Sequence, residues 1–266
     1  MRQHDYQLDG RCVFCRVNLD SLPPDDRTDE HIVPLSLNGT LVIRNGACKE
    51  CARRSNTSYE QAALNNDLLI ARRLLELKSR RRGGKSKSAS LPPVAIGDVA
   101  SGGGIFDKEL SKDDYPQYFS LVVFKPPGIL SQTDMGSDLT QFRLHWFNLG
   151  FEKTPADVTT RAPFINGPFA MMLAKIGYCY AMAEYGEAYF DATDIRDLLL
   201  GNRADVYNFV GNTETPERLS SRELHSLYFR RRGEWLTVLV HLFASCYGPQ
   251  NTNVCTPYEV VVGRAF

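Results

Sequence analysis

Four cysteines in two pairs constrain this chain more than any other feature. Cys12 and Cys15 are separated by two residues, and so are Cys48 and Cys51. Two thiolates three positions apart on a tight turn can both reach one tetrahedral ion, and a second such pair closes the site. The intervening loop is longer than in a small zinc ribbon, so something folded should fill it. One pair alone would suit a redox couple. Two pairs without a thioredoxin-like βαβ pattern favour structural zinc. Cys179, Cys246 and Cys255 stand in apolar or loop surroundings and read as packing residues.

The N-terminal run 1–11 has no apolar core to serve as a secretory signal, and the apolar-leaning stretch 167–185 is interrupted by Lys175 and by glycines. The expectation is a cytoplasmic protein with reduced thiols and no membrane partner.

The charge balance is zero, with 31 Lys+Arg against 31 Asp+Glu, but it is unevenly spread. Residues 1–90 carry 16 basic and 11 acidic side chains, and residues 91–266 carry 15 and 20. Between Arg72 and Lys87 lie Arg72, Arg73, Lys78, Arg80, Arg81, Arg82, Lys85 and Lys87, against Glu76 as the one acid. Asymmetry of this kind marks a partner surface in a way that the total does not. Basic side chains near a helix end also complement the helix dipole, so a solvated helix terminus is the plainer account.

Composition divides the chain into residues 1–58, an amphipathic basic helix over 59–82, a Gly-, Ser- and Pro-rich linker over 83–104, and a mixed α/β region over 105–266. Within the last, strands are expected at 118–124, 223–230, 235–244 and 258–262, and helices at 168–185 and 192–200. Arg231, Arg232, Gly233 and Glu234 read as a hairpin turn. The stretch 101–105 lacks the Lys-Ser/Thr of a phosphate loop and belongs with the linker. His145, His225 and His241 lie far apart with no uniting carboxylate or cysteine pattern, and read as satisfied core or surface histidines.

Between the cysteine pairs stands Thr28-Asp29-Glu30-His31-Ile32-Val33-Pro34. A carboxylate beside a histidine on a short strand can divide two tasks, the carboxylate binding a hard cation while the imidazole acts as a base. A surface ion pair is the bland alternative for an isolated Glu-His. Here the pair lies inside the loop that the cysteines would pin, followed by a glycine turn, a second short strand and a helix.

Taken together, Cys12 to Cys15, the run 28–40 and the run 42–56 resemble the HNH, or ββα-metal, endonucleases in their four-cysteine zinc variety. The resemblance covers residues 11 to about 60. It implies an α+β chain with an N-terminal zinc-stabilised ββα-metal domain followed by a mixed α/β domain of unassigned role. It implies His31 as general base, Glu30 as ligand of a catalytic Mg²⁺ or Mn²⁺, and Asn45 as the residue fixing the catalytic loop. The helix ligand of the family commonly follows the last cysteine, and that slot is Ala52. Asn56, one helical turn onward, is the substitute ligand.

The activity so implied is hydrolysis of DNA phosphodiester bonds, leaving 5′-phosphate and 3′-hydroxyl ends. Arg53, Arg54, Arg72, Arg73, Lys78, Arg80, Arg81 and Arg82 would hold the backbone of double-stranded DNA without reading sequence. Two other readings stand beside it. Ala52 is the mark of a zinc-dependent nucleic-acid-binding protein without catalysis, and the acidic second domain suits a protein or small-ligand partner.

Overall fold

Short alternating runs and turn residues make the N-terminal third a small sheet backed by helix. The computed structural model describes residues 3–77, 91–96, 106–136, 143–149, 158–160, 164–214, 222–246 and 257–266. Lys78, Arg80, Arg81, Arg82, Lys85, Lys87, the stretch 101–105 and Cys255 lie outside them. The first sheet holds β1 (His4–Tyr6), β2 (Arg27–His31) and β3 (Leu41–Cys48), in the order β1-β3-β2. β1 runs parallel to β3, and β2 antiparallel to it.

The β2–β3 ladder is not regular. Thr28 pairs with Ala47 but Glu30 pairs with Ile43, so Arg44, Asn45 and Gly46 bulge opposite Asp29 alone. Asn45 takes a left-handed φ of 44°, which asparagine tolerates better than most side chains. Gly46 is obligatory, since a Cβ there would stand 2.5 Å from Ile43 Cγ2. The bulge is held by Asp29 Oδ1, which accepts the Asn45 N–H at 2.9 Å.

The helical segment that follows differs from the single helix expected over 59–82. α1 (Lys49–Ser55) widens into a π-helical turn at Asn56–Glu60, continues as α2 (Gln61–Asn65), breaks, and resumes as α3 (Leu69–Leu74). The break is stabilised by side-chain bonds to carbonyls on its N-terminal side. Asn66 Nδ2 donates to Ala62 O at 2.7 Å, and the Arg72 guanidinium donates to Leu64 O at 2.8 Å. Periodicity cannot register such a break, because the apolar positions on either side still share a face.

Among the described residues, the remainder contains three further sheets. β4 (Val94–Ile96) lies between β5 (Phe106–Lys108) and a later strand, so part of the stretch expected as linker is in a ladder. Then come β6 (Tyr118–Val123), α4 (Gly128–Ser131), β7 (Arg143–Asn148) and β8 (Val158–Thr160). β6 pairs with β7, and β8 is the second neighbour of β4. α5 (Asn166–Glu184), β9 (Phe190–Asp191), α6 (Thr193–Leu200), α7 (Val206–Phe209) and β10 (Val210–Asn212) lead to β11 (Ser226–Arg232), β12 (Trp235–His241) and β13 (Tyr258–Ala265). These last strands form the largest sheet, in the order β10-β13-β12-β11, with β9 on the end of β13.

Several expected elements are present with shifted ends. α5 starts two residues earlier than expected, and α6 ends on Gly201, whose φ is 81°. Arg232 pairs with Trp235, which leaves Gly233 and Glu234 as a two-residue turn.

α5 is apolar around most of its circumference, the pattern of a helix buried on more than one side. On one side it packs on β13 so closely that a Cβ on Gly177 would lie 2.7 Å from Val260 Cγ1. On another, the Tyr178 hydroxyl donates to Val13 O beside the first cysteine pair. One core therefore runs from Cys12 to Val262. His225 also ties the halves together. Its Nδ1 accepts the Phe243 N–H at 3.3 Å, which leaves Nε2 to donate to Leu37 O at 2.7 Å. Burial pushes His225 down to about 4, as it lowers His145 and His241. All three fit the reading of histidines used for packing.

Candidate metal centre and cleft

The first cysteine pair sits on a turn closed by two main-chain bonds, Arg16 N–H to Cys12 O at 3.0 Å and Cys12 N–H to Val17 O at 2.9 Å. Arg16 makes that turn with a left-handed φ of 62°. A further bond, Val13 N–H to Gly46 O at 2.8 Å, fastens the turn to β3. β3 then delivers Cys48 at its last position and α1 delivers Cys51 in its first turn. The four sulfurs lie within 4.8 Å of one another, with Cys12, Cys48 and Cys51 buried and Cys15 exposed.

Four sulfurs at ~2.3 Å from a tetrahedral zinc would be about 3.8 Å apart. Cys15 and Cys48 Sγ are separated by 3.8 Å. The Cys48 N–H points at Cys12 Sγ at 3.4 Å, an arrangement that favours thiolate. A hydrogen bond from Cys51 lowers the Cys12 thiol to about 5, and that same bond drives Cys51 far upward. The lone pairs thus converge on one point, and the cluster can hold a metal such as zinc. Cys179 and Cys246 are not part of it, and burial pushes both thiols up.

Beside this cluster opens a cleft of about 970 Å³. Glu30 and His31 line it from β2, Ala52 and Arg53 from α1, Asn56 and Glu60 from the π-helical turn, and Arg72 and Arg73 from α3. Ala52, the residue after the last cysteine, faces the cleft. Lys49, Arg53, Arg72, Arg73 and Lys175 set five cations around the walls against Asp29, Glu30 and Glu60.

The expected site residues do not all behave as the sequence implied. Asn45 does not line the cleft; it acts through its main-chain N–H on Asp29. Burial would raise the Asp29 carboxyl, but the Asn45 N–H and the Arg44 guanidinium at 2.6 Å outweigh it and hold it low. Arg54 turns away from the cleft, donating to Leu200 O at 3.0 Å and pairing with Glu50 at 3.2 Å. Arg72 is half-buried, with Nε on Ser36 O at 3.2 Å besides its bond to Leu64 O, so it supports the wall as well as lining it.

Glu30 is where the structure departs most from expectation. It is buried at 6% exposure, and its carboxylate is paired with the ammonium of Lys175, which is itself 1% exposed on α5. Lys175 Nζ also lies 2.9 Å from Glu60 Oε1 and donates to the carbonyl of His31. Burial pushes the Glu30 carboxyl up to about 7, against the pull of Lys175. Burial also opposes the lysine charge, yet the two carboxylates outweigh it and hold Lys175 well above its ordinary value.

A divalent ion on Glu30 and Asn56 does not fit this arrangement. The carboxylate it needs already holds a cation, and among the described residues the cysteines are the only cluster of three or more His, Cys, Asp or Glu side chains placed to share an ion. Lys175 and Glu60 are the residues sequence reasoning missed. The available signal was a lone lysine in an otherwise apolar helix, which costs too much to bury unless something pairs with it. In comparisons with known proteins, no family model, no curated protein and no solved structure matches the chain.

Proposed function

We propose that this chain acts on nucleic acid as an endonuclease of the zinc-stabilised ββα-metal kind, hydrolysing DNA phosphodiester bonds in the cleft beside the cysteines. The observation that carries the reading is convergence. Side chains from β2, α1, the π-helical turn and α3, together with Lys175 of α5, are placed apart in sequence yet line one cleft with five cations against three carboxylates. On this reading the four cysteines hold structural zinc, since a closed tetrahedral site leaves no position for water.

His31 takes a proton from the attacking water. Arg53 and Arg73 hold the charge of the phosphate, a task suited to guanidinium forks. Sequence readout has no evident source in these contacts, so backbone binding with salt-sensitive affinity is the expected mode.

The test is nicking of plasmid DNA by the purified chain, with Mg²⁺, with Mn²⁺ and with neither. His31→Ala should lower the rate by about 10²-fold or more. Equal cleavage by both proteins overturns the reading. Arg53→Ala and Arg73→Ala should each weaken binding and each reduce the salt slope by about 1.

A second reading, nucleic-acid binding without cleavage, is favoured by Ala52 on the cleft wall and by the pairing of Glu30 with Lys175. Salt-sensitive DNA retention with no product under any condition would select it.

A further inference from the structure

Lys175 reaches the cleft from a helix that belongs, by sequence, to the other half of the chain. Its ammonium is surrounded by four oxygens: Glu30 Oε1, Glu60 Oε1 at 2.9 Å, the carbonyl of His31, and that of Ile32 at 3.5 Å. Two carboxylates and two carbonyls converging on one point are the donor set a hard cation seeks.

We propose that Lys175 is the resident cation of this cleft, standing where a divalent ion would otherwise bridge Glu30 and Glu60. The proposal rests on the reading of the cleft as a phosphodiester site only for its functional consequence. It accounts for three features together. The lysine is fully buried yet charged, which is tolerated only with good partners. Two carboxylates face a cleft that is otherwise basic, and the ammonium cancels one of them before a phosphate arrives. Finally, its bond to the His31 carbonyl fixes the main chain that carries the candidate base. Held by the Glu30 carboxylate and the His31 carbonyl, Lys175 acts as a positioning residue.

The consequence is that wild-type protein binds nucleic acid without a divalent ion, whereas Lys175→Met leaves two buried carboxylates that must share a proton or, at mildly alkaline pH, take up a dication. The experiment is Mn²⁺ binding by full-length, zinc-loaded protein freed of other divalent ions, followed by electron paramagnetic resonance. Wild type is expected to take up no Mn²⁺, and Lys175→Met about one per chain. Glu30→Gln added to Lys175→Met should abolish that uptake. Salt-dependent DNA retention supplies a second readout: Mg²⁺ should leave wild type unchanged and should rescue Lys175→Met. A purely structural lysine would weaken retention equally with and without Mg²⁺, which would overturn the proposal.

Uptake of Mn²⁺ by wild type that Glu30→Gln removes would also overturn it, and this arm does not need the lysine variant to fold. A folded Lys175→Met that takes up none would do the same. The Mn²⁺ result is read whether or not DNA is cut, so failure of the endonuclease reading is distinguishable from failure of this one.

Discussion

Two corners around the cleft, sulfur beside it and oxygen within it, gather charge in opposite ways. The sulfur corner is assembled from residues 12–51, each ligand held by its own turn or strand end. The oxygen corner is assembled from Glu30, Glu60 and Lys175, with the cation supplied from more than a hundred residues away. The first is local chemistry that a spacing rule describes. The second exists only because α5 is wedged between the large sheet and the N-terminal unit. A site of the first kind can be read from a sequence; a site of the second kind requires knowing which helix packs where.

The largest effect should follow from removing sulfur ligands. Cys48→Ala with Cys51→Ala is expected to take bound zinc from about one per chain to none. Structural zinc contributes roughly 10–16 kcal/mol in small domains, comparable with the ~5–15 kcal/mol stability of a whole domain. The N-terminal unit should therefore lose cooperative unfolding, as read by elemental analysis beside a thermal melt. Retention of an unchanged melt would show that the oxygen corner and α5 suffice to hold this unit, and would erase the contrast.

Acid should act next, through His225, which joins Phe243 to the Leu37 carbonyl. Its folded value is about 4 against an ordinary 6.5. Between those values the unfolded chain takes up a proton that the folded chain refuses, so stability falls as pH falls through this window. Charging the ring would also set an N–H against the Phe243 N–H. The loss is up to about 3 kcal/mol, complete near the lower value. Urea midpoints across that range should drop while zinc content holds, and a flat profile would show that this tie does not matter.

The smallest effect is expected for Tyr178→Phe. It removes only the hydroxyl bond to Val13 O, leaving a buried carbonyl short of a donor, at a cost of about 1–2 kcal/mol. Zinc content should not change. If zinc is lost, the sulfur corner is not local, because it depends on α5 as the oxygen corner does.

Much of the fold was legible. Gly201 and Gly233 marked a helix end and a hairpin turn because their left-handed backbones have few other occupants. The strands near 118–124 and 258–262 followed from β-branched and aromatic runs. The break after Asn65 was not legible, because its carbonyls are satisfied by Asn66 and by Arg72, and its Asp67 carboxyl takes the Ile165 N–H at 3.2 Å from far along the chain. Asn45 was placed on the hairpin correctly, but its role passes through its main chain, which side-chain chemistry does not reveal.

By itself the sequence determined the four-cysteine cluster, since turn geometry fixes thiols three residues apart whatever surrounds them. It also set the basic character of the cleft walls. Only the tertiary structure decided the fate of Glu30. A carboxylate beside a histidine can face solvent, a metal or a buried ammonium, and local spacing is the same for all three. The choice was made by the packing of α5, whose apolar faces fix its position and so carry Lys175 to the one place in the cleft where burial of its charge is repaid by oxygens.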